Sequence, residues 1–427
     1  MSSILIPRRH QRGAATIVVV MVLFFLIALV AAYTNRNLVF EQRISGNHYR
    51  AALALETAEA GAEWALGLLN GGFIDGACAG SSGAGKSFRE RYLNIAEDRR
   101  ITRHLAVAER AAVSACQRKA ESGWVCQCPS NGAVDLSEPG EASALQPMFG
   151  VRFGELARPG VVRVLVQGCT GALGQCRNAA TDRVDLAQNT LQFHAALVSA
   201  LKTPPAGPLT ARDTVDLGAA GLGLHNTDPR QGGLLMQIGA TEYSGSLARS
   251  SSTPGTPPGS ALVRGDSTLT RGSPEDMFRL FFGMSAATYS QQPAMRGVGC
   301  AAGDCGTALV EAHGRGADLL WVEGGARIAS NIELGTLERP VLLVVNGALS
   351  LDGPMRLNGL VYVRGDANWS NGSGQPARLT GALLSEGKVT AAGLVDIDYH
   401  AGLIQMLSNQ RGSFVRVPGS WMDAVQP

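Results

Sequence analysis

AATIVVVMVLFFLIALVAAY, residues 14–33, decides how the rest of the chain is read. The run holds no charged side chain, and the first charge after it is Arg36. As a helix rising about 1.5 Å per residue it spans the roughly 30 Å hydrocarbon core of a bilayer. Arg8, Arg9 and Arg12 precede it, and no acidic residue occurs before Glu41. Positive charge on the short side predicts a leader held in the cytoplasm and export of everything after residue 35. A cleavable secretory signal is the competing reading, with Val30, Ala31 and Ala32 as the small residues at its cut. The apolar run, however, exceeds the roughly 7–15-residue core of such signals.

The helical pattern continues past the bilayer. Ala51, Leu55, Ala58, Ala62, Ala65 and Leu69 recur at steps of four and three, which puts them on one helical face. Asn70, Gly71 and Gly72 then predict a stop with a left-handed glycine cap. One helix over 14–70 would be roughly 85 Å long, half lipid-facing and half amphipathic.

A basic leader ending in Gly13, an uncharged apolar stretch and a continuous amphipathic half-helix resemble a type IV prepilin. QRGAA (11–15) and FEQRISGNHYRAALALETAEAGAEWAL (40–66), with the pair Gly46–Asn47 and the string Ala58–Glu59–Ala60, resemble the N-terminus of PilX-type minor pilins. That resemblance covers about the first seventy residues. It implies cleavage by prepilin peptidase between Gly13 and Ala14, methylation of the new amino group of Ala14, insertion in the inner membrane, and partners among other minor and major pilins, with a tip adhesin a further candidate. Major pilins carry Phe at the first mature position and Glu at the fifth, where this chain has Ala14 and Val18. In the resembled proteins that glutamate offsets the buried amino terminus of a neighbour, because an unpaired charge in hydrocarbon is costly. A subunit without it suits a tip or priming position. The tip pseudopilin of a type II secretion system can lack it too, and a plain anchored adhesin remains a further alternative.

Composition narrows the partners. Lys plus Arg (37) nearly cancels Asp plus Glu (35), so no basic field for nucleic acid covers the chain. Fifty-three glycines and only 6% aromatics favour a turn-rich β architecture. GSSGAGKS (80–87) fits the phosphate-loop pattern letter for letter. What precedes it, LLNGGFIDGACA, is not a buried strand, and LLWVE (319–323) is too distant to serve as the partner carboxylate strand. The octet reads as a flexible connection and the chain as one without a nucleotide or other cofactor.

In an exported chain eight cysteines read as disulfides. Cys169 with Cys176 and Cys300 with Cys305 close short turns; Cys78, Cys116, Cys126 and Cys128 allow three connectivities. Residues 202–274 are rich in Pro, Gly, Ser and Thr and read as a linker or loops. SPEDMFRLFFGM (273–284) then predicts a capped amphipathic helix that buries Phe278, Phe281 and Phe282. Downstream, Gly324, Gly347, Gly365 and Gly387 each follow an apolar run, with separations of 23, 18 and 22. Such a period fits the coils of a parallel β-solenoid, with a meandering antiparallel sheet as the alternative. The longer PilX-type proteins resemble this chain here too, down to a V-P-G-S-W string, Val417–Trp421.

The expected fold is α+β: leader 1–13, pilin helix 14–70, α+β head 71–201, linker or loops 202–274, and a short helix with a solenoid over 275–427. For chemistry, Asp396, Asp398 and His400 would share one face of a strand and could hold a cation or act as acid and base. Asn226, Thr227 and Asp228 lack the register of a calcium loop, and Cys126 with Cys128 lacks the further ligands of a zinc site. No nucleophile elbow or zinc-helix motif occurs, so the expectation is a non-enzymatic assembly protein with its head in the periplasm.

Overall fold

The structure, a computed structural model, describes residues 13–83, 85–104, 111–119, 123–130, 134, 146–171, 186–300 and 303–423. A single helix, Gly13–Leu69, runs unbroken through Gly46 and Asn47 for 57 residues, about 85 Å. Its last third carries a stripe of small residues. Ala54, Ala58, Ala62, Ala65 and Leu69 are fully buried, while Ala51, expected on the same face, is exposed. The stripe lies across an antiparallel sheet, and the fit is close because small residues meet on both sides. A Cβ on Gly168 would stand 2.1 Å from the Ala54 carbonyl oxygen, and one on Gly61 2.7 Å from the Phe149 ring.

That sheet has six strands in the order Gly412–Arg416, Gln188–Ser199, Val161–Cys169, Met148–Gly154, Ser114–Lys119, Gly123–Gln127, all antiparallel. Its first member comes from the end of the chain. Gly412 lies opposite Ser199, so residues 200–411 form an insertion between two neighbouring strands of the head. The V-P-G-S-W string continues this edge: Trp421 stacks on Phe193 and the Ser420 hydroxyl accepts the His194 N–H at 3.0 Å. The segment after residue 411 thus belongs with the head and not, as its sequence position suggested, with the glycine-punctuated region.

Residues 200–411 build parallel sheets. In one, Leu319 lies opposite Leu342, Leu342 opposite Leu360 and Leu360 opposite Ala382, offsets of 23, 18 and 22. A second parallel sheet repeats those offsets, Ala326 opposite Leu349, Leu349 opposite Ala367 and Ala367 opposite Val389. The four spaced glycines turn the chain between the sheets and stack on one another. A Cβ on Gly347 would meet the Gly324 carbonyl carbon at 2.6 Å, and one on Gly387 that of Gly365 at 2.8 Å. The column explains the period: each turn passes too close to the next for a side chain.

The expectation of a linker over 202–274 is corrected. Leu209–Ala211 pairs in parallel with Leu383–Ser385, Met236–Ile238 with Leu209–Ala211, and Leu262–Val263 with Met236–Gln237. The stacking order therefore runs 295, 319, 341, 356, 377 and only then 209, 236, 262, a circular permutation of the chain order. Between the two groups the chain crosses the outer face of the first sheet as the helices Pro274–Phe282 and Ala286–Ser290. Phe278, Phe281 and Phe282, with Leu403 and Leu407 of the helix Ala401–Asn409, cover Leu342, Leu360, Tyr362 and Leu384 there. Leu320, Leu343, Val361 and Leu383 point the other way, into the interior between the sheets. Strands covered on both faces read as unbroken apolar runs such as LLVV and LVYV.

Disulfides join Cys78 to Cys128, Cys116 to Cys126 and Cys300 to Cys305. Cys116 and Cys126 lie directly opposite on adjacent strands. Cys169 is disulfide-bonded as well, and Cys176, its expected partner, lies outside the described residues.

Candidate assembly surface

The outer part of the long helix has no partner in its own chain. Every large apolar residue from Ile17 to Phe40 is exposed, Phe24 to 73%. Among the described residues this is the one helix long and apolar enough to cross a membrane. The Thr34 hydroxyl is satisfied within the helix, donating to the Val30 carbonyl at 2.8 Å. Gly13 and Ala14, the expected processing pair, open the helix, and Val18 is exposed on its second turn.

The inner end is fastened by Asn70. Its amide donates to the Phe414 carbonyl (2.9 Å) and accepts the Phe414 N–H (2.7 Å), which ties the helix to the last strand of the head sheet. Arg296 donates to the Asn70 carbonyl at 2.8 Å and so ties the same point to the parallel sheets. The expected left-handed cap is absent, since neither Gly71 nor Gly72 has a positive φ. Gly72 is required by proximity instead: a Cβ there would stand 2.2 Å from the Arg315 carbonyl oxygen.

The GSSGAGKS octet is a hairpin arm rather than a flexible tether. Phe73–Ile74 pairs antiparallel with Lys86–Ser87, and Ile74 also bridges Gly80. The Ser87 hydroxyl donates to Glu90 Oε2 at 2.8 Å and caps the five-residue helix Phe88–Tyr92. The serine that would reach a metal-bound phosphate is spent on a capping box.

Asp396, Asp398 and His400 do not converge. Asp396 Oδ1 receives the Arg249 guanidinium at 2.5 Å, Asp398 pairs with Arg378 at 3.0 Å, and His400 Nδ1 accepts the Leu403 N–H as a helix cap. Sequence reading missed His225, whose Nε2 lies 3.3 Å from Asp396 Oδ1 and whose Nδ1 lies 2.8 Å from the Ser251 hydroxyl. These three residues come from neighbouring parallel segments, His225 beside the Asp396 strand and bridged to Ser251, and no sequence spacing marks them. A hydroxyl–imidazole–carboxylate chain supports nucleophilic catalysis only when the carboxylate is free to stabilise the imidazolium. Here Arg249 takes that oxygen. Asp228 is likewise occupied, by Arg230 at 3.1 Å, and among the described residues no group of three or more His, Cys, Asp or Glu could hold a metal ion. Burial pushes Glu386 up to about 7, where it accepts from the Tyr362 hydroxyl at 2.9 Å.

The PilX N-terminal family model matches residues 12–63. No curated protein matches the chain. Among solved structures, the competence-associated pilin ComZ from Thermus thermophilus aligns at 11% identity with a TM-score of 0.15, over 65% of this chain and 84% of that one, a likeness too low to carry an argument about fold. The matched segment takes in the exposed part of the helix and the buried Ala54, Ala58 and Ala62, and ends before Ala65 and Leu69. Residues 12–63 are thus similar to the PilX N-terminal family, the resemblance read from the sequence.

Proposed function

We propose that the protein is a minor pilin that primes or caps assembly of a type IV pilus and performs no catalysis. One observation carries the reading: a continuous helix whose Ile17–Tyr33 portion is uncharged, apolar and exposed while its end is built into a β-rich head. In a monomer that portion requires lipid; in a filament, neighbouring helices replace the lipid. Prepilin peptidase would act between Gly13 and Ala14, with the leader in the cytoplasm and the head in the periplasm. Val18, an apolar residue at the fifth mature position, supports a place at the tip, where no further subunit needs its amino terminus neutralised. The offsets of 23, 18 and 22 shared by the two parallel sheets support a β-solenoid for residues 200–411. Inserted in a hairpin of the head, that body would stand away from the shaft, which favours an added adhesive role over a secretion-system pseudopilin.

Mass spectrometry of the mature N-terminus and pilus counts on a deletion strain test the reading together. Methylated Ala14 with pili lost on deletion is the expected result. An intact Met1, or a start near Tyr33, would remove the pilin assignment; normal pili without the protein would remove the priming role.

A further inference from the structure

Where the head meets the parallel sheets there is a cleft of about 730 Å³, within the roughly 300–1,000 Å³ of small-molecule sites. Its floor is ionic. Asp318, 3% exposed, receives Arg339 at 2.7 Å and Arg411 at 3.1 Å, with Arg89 at 4.0 Å. Arg411 also pairs with Glu90 at 3.0 Å. Three guanidiniums thus share two carboxylates. His313, 3.6 Å from Asp318, adds no acid: burial and Arg339 lower its pKa and keep it neutral.

The surplus charge is enclosed rather than bathed in water. Arg89 is 5% exposed, and burial followed by the Arg411 charge lowers its pKa. The Nε–H groups of Arg89, Arg339 and Arg411 find no acceptor among the described residues. Lys86 and Arg103 stand at the rim, against Glu338. The Arg339 guanidinium carbon sits over the Phe73 ring, 4.2 Å from its centroid, a cation–π contact that holds it at the cleft. Buried guanidiniums with unused donors are costly, and planar forks match oxyanions.

We propose that this cleft binds a small polyanion bearing phosphate or carboxylate groups, held by Arg339 and Arg411 from the floor and Lys86 from the rim. The ligand is a free solute. The cleft adjoins Phe73, roughly 55 Å along the helix from Tyr33, so headgroups of the membrane that the helix enters do not reach it. Occupation would lock the head onto the parallel sheets, since the lining residues come from both.

Isothermal titration calorimetry on the full-length protein in detergent, with inorganic pyrophosphate and citrate in separate arms, tests the assignment. We expect saturable binding of at least one, weakened about tenfold by Arg339→Gln and about threefold by Lys86→Ala, and tightened by Glu90→Gln. Pyrophosphate alone would identify phosphate as the group recognised, citrate alone carboxylate. Should Arg339→Gln fail to fold, the rim double variant Lys86→Ala with Arg103→Ala carries the test. No heat from either anion with the folded protein, or equal affinity in parent and variants, overturns the proposal.

Discussion

The stretch Ile17–Phe40 and the stretch Ala54–Leu69 belong to one helix and have opposite surroundings. The first is mostly large apolar residues, interrupted by Ala28, Ala31 and Ala32, and all its large apolar side chains are exposed. The second is built on Ala54, Ala58, Gly61, Ala62 and Ala65, and a sheet strand lies so near that Gly168 has no room for a methyl group. Charge separates them on their outward faces, where the second carries Glu56, Glu59 and Glu63, and residue size separates the faces that pack. Bulky side chains suit a partner that can adapt its shape, such as lipid or another helix. Small ones suit a rigid sheet from the same chain, where close backbone approach replaces side-chain volume. The outer stretch should therefore carry assembly without stability, and the inner stretch stability without assembly.

The sharpest way to break that division is Leu26→Arg. A cation at the middle of the outer stretch costs about 2.5–3.5 kcal/mol on insertion, and we expect pili to be lost while the thermal midpoint of the head is unchanged. A lowered midpoint would mean that the outer stretch supports the head after all. Next comes Gly168→Val. Its Cβ would meet backbone atoms of the helix, 2.1 Å from the Ala54 oxygen and 2.6 Å from the Ala58 nitrogen, which cannot swing aside. Overpacking of this kind costs about 3 kcal/mol, read by denaturant melting. Gly46 is the control, because nothing lies within 4 Å of a Cβ there. Gly46→Ala should leave the melt unchanged within about 1 kcal/mol. Asn70→Ala follows: it leaves the Phe414 N–H and C=O unmatched and should cost about 2 kcal/mol, again by denaturant melting.

The same contrast governs what was legible in the sequence. An uncharged run needs only counting, so the outer half of the helix is plain in the sequence, while the inner half is read from its period. The buried stripe was visible as a period but began three residues early, since Ala51 keeps the spacing after the sheet has ended. In the parallel region the glycine separations equal the strand offsets because stacked turns leave no space for Cβ atoms. The parallel strands over 209–263 escaped notice because they are two or three residues long, too short to show as apolar runs among Pro, Gly and Ser. Their position beside the 377–398 coil is also non-local, as are the return of Gly412–Arg416 to the head and the meeting of Asp318 with Arg89, Arg339 and Arg411. Nothing periodic in a sequence records contacts of that kind.

Acid offers the mildest test of the division, through Glu90 beneath the inner end of the helix. Burial alone would raise this carboxyl, but the neighbouring Arg411 guanidinium and the Ser87 hydrogen bonds outweigh it and hold the group at about 2. A carboxyl depressed on folding contributes stability that is fully present above its unfolded pKa, near 4.5, and is lost as pH falls toward 2. The carboxyl is 29% exposed and Arg411 12%, so some solvent screening remains and the contribution is about 1 kcal/mol. Glu90→Gln should lower head stability by that amount at neutral pH, and the gap between parent and variant should close as the pH is lowered through that window. A gap that stays constant would assign the loss to the capping box alone and not to the charge. The Ile17–Phe40 stretch touches none of these groups, so its ability to enter detergent or lipid should be the same for parent and variant across the whole titration.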